Sequence, residues 1–381
     1  MNNCLRVLVL GKIGTIHTQR FVDELQHQGI EVGVISFSTS PYASTNVHFF
    51  KPKRIPPKIL GLPGTAKLGN ILFINRIIRQ FRPHVVHVHH EANPLIYLRW
   101  IADQVPLVAY SAWGHYSVEE KVNTAFQKGL ARVNLLISDA PDVLDEIADI
   151  SPSAKQGIVR FGADVNLFTP GVPNSDILKI YGLDLSIPYI FSPRSLRENY
   201  NQLTLIRALP EIIKEFPDIR LILKHHHDAN YADSVAYQEK IQVLAESLGV
   251  WDRIVRIDHV PYEHLVHLYR VSRLAISIPL EDGFPATIFE AMATGCPLVV
   301  SQDGSYDGVV ENGYNAFCVN AQDVKQVADA IIRILANPIL STELCEHGLL
   351  TVQNKGDFRK EISHLIQLYK DTLAQQNVKI I

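Results

Sequence analysis

Residues 273–301 of this 381-residue chain read RLAISIPLEDGFPATIFEAMATGCPLVVS, and this stretch decides the fold. Two apolar runs rich in Ile, Leu and Val enclose a segment with helical spacing, which is typical of a β-α-β unit in a parallel sheet. Pro285 near the start of the helix and Gly295 just past its end are the residue types expected at those places. The pattern therefore puts Asp282 on the loop after the first strand and Glu290 two turns into the helix.

The same alternation of strand and helix extends in both directions along the chain. Six apolar runs predict strands in the first half, at 5–10, 31–37, 84–89, 106–111, 133–138 and 157–161. Six more predict strands in the second half, at 188–192, 219–224, 254–258, 273–279, 297–301 and 314–319. The intervening residues 162–187 are rich in Pro, Gly, Asn and Asp, which is typical of a linker with at most one short helix.

Two such sets predict an α/β protein with two Rossmann-like domains that face each other across a cleft. We place the N-terminal domain at 1–167, the linker at 168–187 and the C-terminal domain at 188–360. The last segment, 361–381, is expected to be helical and to pack back on the N-terminal domain. Ligands of open parallel sheets bind at the carboxyl ends of the strands, so the loops after the strands are the place to look for a site.

Composition and charge narrow the class of protein. Hydrophobic residues make up 47% and charged residues 20%, which is typical of a soluble globular protein with ample core. The net charge of −3 gives no general attraction to nucleic acid, so we expect no nucleic-acid partner. No apolar run reaches the roughly 18 residues that a membrane helix needs, and the four cysteines lack metal-ligand spacing. We therefore expect a cytoplasmic protein.

One stretch departs from this even charge distribution. No acidic residue lies between Glu31 and Glu91, whereas eight Lys and Arg residues fall within 51–82. Bulky apolar residues and prolines are interspersed with them. Two interpretations stay open: a solvated basic loop followed by an amphipathic helix, or a surface that contacts an acidic acceptor or an anionic membrane. The second would place the protein peripherally at the inner membrane face.

The opening stretch resembles the Glu-x7-Glu signature of family 4 glycosyltransferases with the GT-B fold, here written Asp282-x7-Glu290. Three further stretches resemble the family, namely GADVNLFTP at 162–170, SPRSLRENYNQLTLIRAL at 192–209 and GSYDGVVENGYNAFCV at 304–319. The resemblance implies a retaining glycosyltransferase that moves a hexose from a nucleotide sugar to an acceptor hydroxyl, in cell-surface polysaccharide or glycolipid synthesis. The C-terminal domain would bind the donor, and the N-terminal domain a sugar or lipid-linked acceptor.

The resemblance also implies roles for single residues. Asp282 would contact the donor sugar, Glu290 the ribose and Arg194 the diphosphate. These roles suit the chemistry, because a carboxylate accepts hydrogen bonds from two vicinal hydroxyls and an arginine fork matches phosphate oxygens. The residues alone leave a plainer interpretation open, in which Asp282 caps the helix and Glu290 is a surface residue.

The second cation on the diphosphate is open between two residues. Asn199 stands where the family has Lys, so Arg197 or Lys224 could supply the charge instead. The helix that begins after Asp282 would add the positive end of its dipole. We therefore expect the donor to be bound by Arg194, Asn199, Lys224, Asp282 and Glu290 together with Gly14, Gly283, Phe284, Pro285 and Ala286.

In the N-terminal half, candidate residues follow the predicted strands. His90 ends one strand together with His89, and Trp113 follows the next strand. With His17 in the first helix, His90 and Trp113 are the expected acceptor-binding residues. The expected catalytic residues are His115, Arg194 and Asp282. For His115 the alternative is a loop histidine without substrate contact.

We expect neither a metal nor another cofactor. The chain has no Asp-x-Asp triplet, and the three consecutive residues His225–His227 cannot easily converge on one tetrahedral ion. Cations and the helix dipole would stabilise the leaving diphosphate instead. Two other functions stay open, a sugar-nucleotide epimerase on the same fold and a non-catalytic sugar-nucleotide-binding relative.

Overall fold

The structure is a computed structural model that describes residues 4–36, 47–50, 65–89, 94–113, 116, 121–225, 232–302, 306 and 308–378. The chain forms two compact units. The first contains Met1–Arg160 together with Arg359–Ile381, and the second contains Phe161–Phe358. The chain therefore passes from one unit to the other at residue 160 and returns at residue 359.

The first unit is built on a parallel sheet. In the described part of the chain this sheet has seven strands in the order β3-β2-β1-β4-β5-β6-β7. Its strands are β1 (Arg6–Leu10), β2 (Glu31–Ile35), β3 (His48–Phe50), β4 (Val85–His89), β5 (Leu107–Ala112), β6 (Leu135–Ser138) and β7 (Lys155–Ile158). Its helices are α1 (Ile16–His27), α2 (Thr65–Phe81), α3 (Leu95–Ile101), α4 (Thr124–Leu130), α5 (Pro141–Ala148) and, at the end of the chain, α13 (Phe358–Gln375).

The second unit repeats this plan. Over the residues described, its sheet has six strands in the order β10-β9-β8-β11-β12-β13, and all neighbouring strands are parallel. The strands are β8 (Tyr189–Ser192), β9 (Arg220–Lys224), β10 (Ile254–Ile257), β11 (Ser272–Ser277), β12 (Leu298–Ser301) and β13 (Phe317–Val319). The helices are α6 (Ser175–Ile180), α7 (Gln202–Glu215), α8 (Ala232–Ser247), α9 (Tyr262–Val271), α10 (Ala286–Ala293), α11 (Val324–Ala336) and α12 (Pro338–Lys355).

Apolar residues cover both faces of the second sheet, which explains why its strands are nearly continuous apolar runs. Successive residues of a strand point to opposite faces. On β8, Ile190 accordingly belongs to one hydrophobic cluster and Phe191 to the other, and Leu274 and Ala275 on β11 divide in the same way. Because helices cover both faces, a ligand can approach the inner strands only at their ends.

Two details of the sequence prediction need correction. The first sheet has a seventh strand in the described residues, β3, which the sequence pattern did not predict. It is only three residues long and precedes the basic stretch, so it gave no alternating pattern. The strand predicted at 314–319 begins only at Phe317, because Gly313 has a φ of +77° and its N–H bonds to the carbonyl of Ala316 at 2.8 Å. These residues form a turn instead of extended chain.

The C-terminal helix α13 packs within the first unit. The side chain of Gln28 donates a hydrogen bond to the carbonyl of Arg359 at 2.8 Å, and Ser363 donates one to Gln28 at 2.8 Å. In the interior, the hydroxyl of Tyr369 bonds to Nδ1 of His87. These contacts anchor the end of the chain to the first sheet.

The two passages of the chain between the units run side by side. In the first unit, the N–H of Arg160 donates to the carboxylate of Glu361 at 2.7 Å. In the second unit, the N–H of Ala163 donates to the carbonyl of Gly356 at 2.8 Å, and the N–H of Phe358 donates to that of Ala163 at 3.1 Å. Each unit thus ties the outgoing passage to the returning one.

Candidate functional site

Three central strands of the second sheet end at the same place. β8 is flanked by β9 and β11, with Ser192 opposite Leu223 and Phe191 opposite Ala275. The strand order reverses at β8, and crevices at such reversals are where ligands of open parallel sheets bind. Arg194 follows β8, Lys224 ends β9 and Asp282 follows β11. Parallel pairing therefore brings these three charged residues to one edge.

Arg194 and Asp282 form an ion pair at this edge. Nη2 of Arg194 donates to Oδ2 of Asp282, and the two side chains are only 13% and 20% exposed. The guanidinium carbon lies 4.0 Å from the ring centroid of Tyr200, a cation-π contact. Burial lowers the pKa of Arg194, but Asp282 and Tyr200 outweigh it and the pKa is raised. The group therefore carries its positive charge at all physiological pH values.

One donor of this guanidinium is left unused by the residues that the structure describes. Nε of Arg194 is buried and has no hydrogen-bond partner among the described residues. A buried donor without a partner costs free energy unless a ligand or water satisfies it. Nε and Nη2 form the side-on edge of the guanidinium, which binds phosphate or carboxylate through two parallel hydrogen bonds.

Asp282 is not a helix cap. The residue that precedes α10 is Pro285, and it makes no side-chain capping bond. Oδ1 of Asp282 instead accepts the N–H of the next residue, Gly283, at 3.1 Å. Asp282 thus pairs with Arg194, and the interpretation of Asp282 as a helix cap is wrong.

Glu290 is not a surface residue. It is 4% exposed, and its Oε2 accepts a hydrogen bond of 3.2 Å from the hydroxyl of Tyr269 on α9. Burial, then Glu290 itself, raises the pKa of Tyr269 well above its usual value. The hydroxyl is therefore protonated at neutral pH and can only donate to the carboxylate. Because Glu290 is buried and hydrogen-bonded, the interpretation of it as a surface residue is wrong.

Lys224 completes the charged group. Burial lowers the pKa of Lys224, Glu290 acts in the opposite direction, and Arg194 lowers it further. Lys224 ends β9, the neighbour of β8, and interacts electrostatically with both residues. Arg197, the other candidate for the second cation, is exposed in the loop after β8. The structure therefore brings Lys224, rather than Arg197, into the neighbourhood of Arg194.

The other predicted donor residues of the second unit lie in the loop after β8 and between β11 and the first turn of α10. Asn199 is exposed, and its backbone carbonyl accepts the N–H of Leu280 at 2.8 Å. Phe284 is 2% exposed and packs against Phe289 with the ring centroids 4.8 Å apart, which fixes the loop before α10. The neighbouring residues Gly283, Pro285 and Ala286 are buried as well.

In the first unit, two of the predicted acceptor residues lie together. The rings of His17 and Trp113 are 6.0 Å apart in an edge-on arrangement. His89 lies between Trp113, at 4.9 Å, and Phe21, on which it stacks at 4.1 Å. His89 is fully buried, so it belongs to the core under this group and not to a strand-end surface. Gly14 is exposed in the turn before α1.

Two predicted residues lie outside the described part of the chain. These are His90 and His115, and their places in the site stay predictions. The described member of the histidine triplet, His225, is 7% exposed and pairs with Asp258 at 2.9 Å. His225 therefore lies buried at the carboxyl end of β9 in the second sheet.

Two family models match the chain. The model described as "Glycosyl transferases group 1" matches residues 174–349, and the one described as "Glycosyl transferase 4-like" matches residues 6–140. Together they take in more than three quarters of the chain. The chain belongs to the group 1 glycosyltransferases.

Curated relatives of this glycosyltransferase carry related names. The D-inositol 3-phosphate glycosyltransferase of Corynebacterium urealyticum is 25% identical over 286 residues, which cover 72% of this chain and 66% of that protein. The lipopolysaccharide core biosynthesis mannosyltransferase LpcC of Rhizobium leguminosarum bv. viciae is 23% identical over 258 residues, 68% of this chain and 70% of that one. These matches do not favour the epimerase that the sequence left open.

The fold has close counterparts among solved structures. Anabaena HepE in complex with UDP and glucose superposes with a TM-score of 0.79 at 16% sequence identity, over 96% of this chain and 99% of that one. At this level of identity the likeness concerns the fold. The GT-B fold predicted from the sequence is confirmed.

Sequence reasoning missed several residues of this glycosyltransferase site. Tyr269 contacts Glu290 from 21 positions away, and no local pattern could have indicated it. Tyr200 lies in the same loop as Arg194, so its aromatic ring was a usable signal. Ser277, the last residue of β11, is 2% exposed, and its hydroxyl has no hydrogen-bond partner within the described ranges. Its place at a strand end is the signal that the sequence offered.

Proposed function

We propose that this glycosyltransferase moves a hexose, with retention of configuration, from a nucleoside-diphosphate sugar to a hydroxyl group. The observation that carries this proposal is the meeting of Arg194, Lys224, Asp282 and Glu290 at one edge of the second sheet. Two cations beside two carboxylates match the two halves of a sugar nucleotide. The cations suit the diphosphate, and the carboxylates suit hydroxyls of the sugar and ribose.

In the proposed reaction the bond between the anomeric carbon and the diphosphate oxygen breaks while the acceptor oxygen bonds to the same face of that carbon, and the proton of the acceptor hydroxyl passes to the departing diphosphate oxygen. Negative charge grows on the departing diphosphate. Arg194, Lys224 and the N-terminus of α10 stabilise this charge because they are fixed in place before the reaction. Asp282 and Glu290 hold the sugar and the ribose in position. This front-face route needs no nucleophile from the protein.

The same two cations account for the proposal that neither a metal nor another cofactor takes part. A divalent ion on the diphosphate would neutralise charge that Arg194 and Lys224 already neutralise. We assign the acceptor to the first unit, where His17 and Trp113 lie together. His115 is proposed to contact the reacting sugar.

We propose a cell-surface polysaccharide or glycolipid precursor as the acceptor, reached from the cytoplasmic face of a membrane. The named activities of the relatives, on inositol phosphate and on a lipopolysaccharide core, support this class. Helix α2, in the basic stretch, exposes Leu68 and Leu72 at 58% and 62%, with Arg76 and Arg79 exposed further along. Exposed apolar and basic side chains on one helix suit an anionic membrane surface. Among the described residues, no helix has the length and apolar character needed to span a membrane.

A donor panel tests the proposal. UDP-glucose, UDP-galactose, UDP-N-acetylglucosamine and GDP-mannose are each assayed for binding and for slow hydrolysis, and the anomer formed with an accepted donor is read by NMR. We expect one donor to bind, and Arg194→Ala to abolish its turnover. Arg273→Ala is the matched control, because Arg273 is exposed at the opposite end of β11. Absence of binding and turnover with every donor would contradict the proposed function.

A further inference from the structure

The ion pair between Arg194 and Asp282 joins two residues that serve different parts of the proposed donor. Arg194 is assigned to the diphosphate and Asp282 to the sugar, yet they contact each other directly. Both side chains are largely shielded from water, so their attraction is little screened. A donor that enters this site must therefore exchange partners with an existing pair.

The geometry of Arg194 makes this exchange specific. Its side-on edge consists of Nε and Nη2, of which Asp282 holds Nη2 and no described residue holds Nε. The ring of Tyr200 beneath the guanidinium fixes the plane of this edge. A phosphate group that bonds to both nitrogens must share Nη2 with the carboxylate or displace it. The carboxylate and the phosphate are both negative, so sharing is unfavourable.

A sugar changes the outcome because its hydroxyls can donate hydrogen bonds to the displaced carboxylate. An intact sugar nucleotide thus supplies new partners for both residues. A nucleoside diphosphate supplies a partner for Arg194 alone. It takes the bond from Arg194 away from Asp282 and leaves two negative groups, the carboxylate and the phosphate, beside each other.

We propose that Asp282 determines specificity by competing with the diphosphate for Arg194, so that the site favours an intact sugar nucleotide over the free nucleoside diphosphate. This inference rests on the proposed function. It gives Asp282 a second role after transfer, when the sugar is gone: its carboxylate returns to Arg194 and weakens the hold on the product.

The test compares affinities for donor and product. The donor that the four-donor panel identifies and its nucleoside diphosphate, UDP or GDP, are titrated by calorimetry into the wild type and Asp282→Asn. We expect Asp282→Asn to bind the free diphosphate about tenfold more tightly, since a charge-assisted contact to Arg194 no longer competes. The affinity for the intact donor should stay the same or fall, because Asn accepts fewer hydrogen bonds from the sugar.

Glu281→Gln is the matched control. Glu281 is exposed and adjacent to Asp282, and the substitution removes the same charge without touching Arg194. We expect it to change the affinity for the free diphosphate less than twofold. Asp282→Ala serves as a second variant with the same expected sign, should the Asn variant fold poorly.

The outcomes separate this inference from the proposed function. If the wild type binds none of the four donors of the panel and neither UDP nor GDP, the proposed function is contradicted. If it binds them and Asp282→Asn leaves the affinity for the free diphosphate unchanged or reduces it, the competition is wrong and the donor site stands. An equal gain in Glu281→Gln would likewise overturn the competition, because general charge would then explain the effect.

Discussion

The hydroxyl of Tyr269 on α9 donates a hydrogen bond of 3.2 Å to the carboxylate of Glu290 on α10. Both residues are buried, with exposed fractions of 1% and 4%. The ring of Tyr269 packs edge-on against Phe191 of β8, with the centroids 5.0 Å apart. The orientation of the proposed ribose ligand is thus set by the hydrophobic core of the second unit.

Tyr269→Phe should weaken nucleotide binding without removing a group that touches the nucleotide. The substitution leaves the ring packing intact but removes the hydrogen bond from Tyr269 to the carboxylate of Glu290, so we expect a three- to tenfold loss of affinity and of about 1 kcal/mol of stability. Calorimetry with the bound nucleoside diphosphate and its 2′-deoxy and 3′-deoxy analogues gives a readout specific to this role. The loss of affinity that follows removal of a ribose hydroxyl should be smaller in the variant than in the wild type.

Tyr237→Phe is the control for this change. Tyr237 is 3% exposed, and its hydroxyl accepts the N–H of Leu203 on the other side of the sheet. It should cost similar stability and leave nucleotide affinity unchanged. An undiminished penalty for the deoxy analogues in Tyr269→Phe would show that Tyr269 does not act through Glu290.

Glu290→Gln should weaken nucleotide binding by at least tenfold, because hydrogen bonds from ribose hydroxyls to a charged acceptor contribute about 1.5–3 kcal/mol. Glutamine keeps the shape of the side chain and removes the charge. Direct titration with the nucleoside diphosphate measures the effect, and Glu215→Gln, an exposed position at the end of α7, is the control. Unchanged affinity in Glu290→Gln would remove this residue from the site.

The buried imidazole of His87 should make the first unit sensitive to mild acid. Burial lowers the pKa of His87 from 6.5 to about 3, so the ring is neutral in the folded chain. The unfolded chain takes up a proton below pH 6.5, and the free energy of unfolding therefore falls as the pH drops from 6.5 towards 3. Between pH 7 and 5 we expect this residue alone to remove about 2 kcal/mol.

Urea unfolding measures this slope when the fluorescence reports on the first unit. Trp100 and Trp113 lie in that unit and Trp251 in the other, so the experiment uses Trp251→Phe as background. His87→Gln, which still offers hydrogen-bonding groups to Ser111 and Tyr369, should reduce the difference between pH 7 and 5. The same pH dependence in both proteins would count against His87 as its source.

The exposed leucines of α2 should support membrane binding. We expect the protein to float with liposomes that contain an anionic phospholipid at low salt, and Leu72→Glu to reduce the bound fraction severalfold through lost apolar contact and added repulsion. Val243→Glu, at a 65% exposed position on α8 of the second unit, is the control. A wild-type protein that stays wholly unbound at low salt would contradict the proposed membrane contact.

The alternation of apolar runs was enough to predict the architecture, because strands covered on both faces leave a strong local pattern. It failed at β3, where three residues are too few for a pattern. The charged residues of the proposed donor site could each be singled out from the sequence, because they follow or end strands or lie in the helix after one. Their pairing was not, since Arg194 and Asp282 are 88 positions apart and only the sheet brings them together.

The choice between Arg197 and Lys224 shows the same limit. Both follow or end a strand, and both carry the required charge. Only the burial of each side chain distinguishes them. Lys224 interacts with Arg194 and Glu290, whereas Arg197 is exposed to water. Burial of this kind depends on packing between helices and sheet, which no local spacing encodes.

The adjacent passages at Arg160 and Arg359 make the second unit an insertion domain within the first. Its two ends are held together by the bonds between Ala163, Gly356 and Phe358, so both cuts needed to excise it fall at one place. Exchange of residues 161–358 between relatives should therefore leave the first sheet undisturbed and replace only the first residue of helix α13, Phe358. In a chimaeric enzyme made this way, donor preference would be inherited separately from acceptor preference.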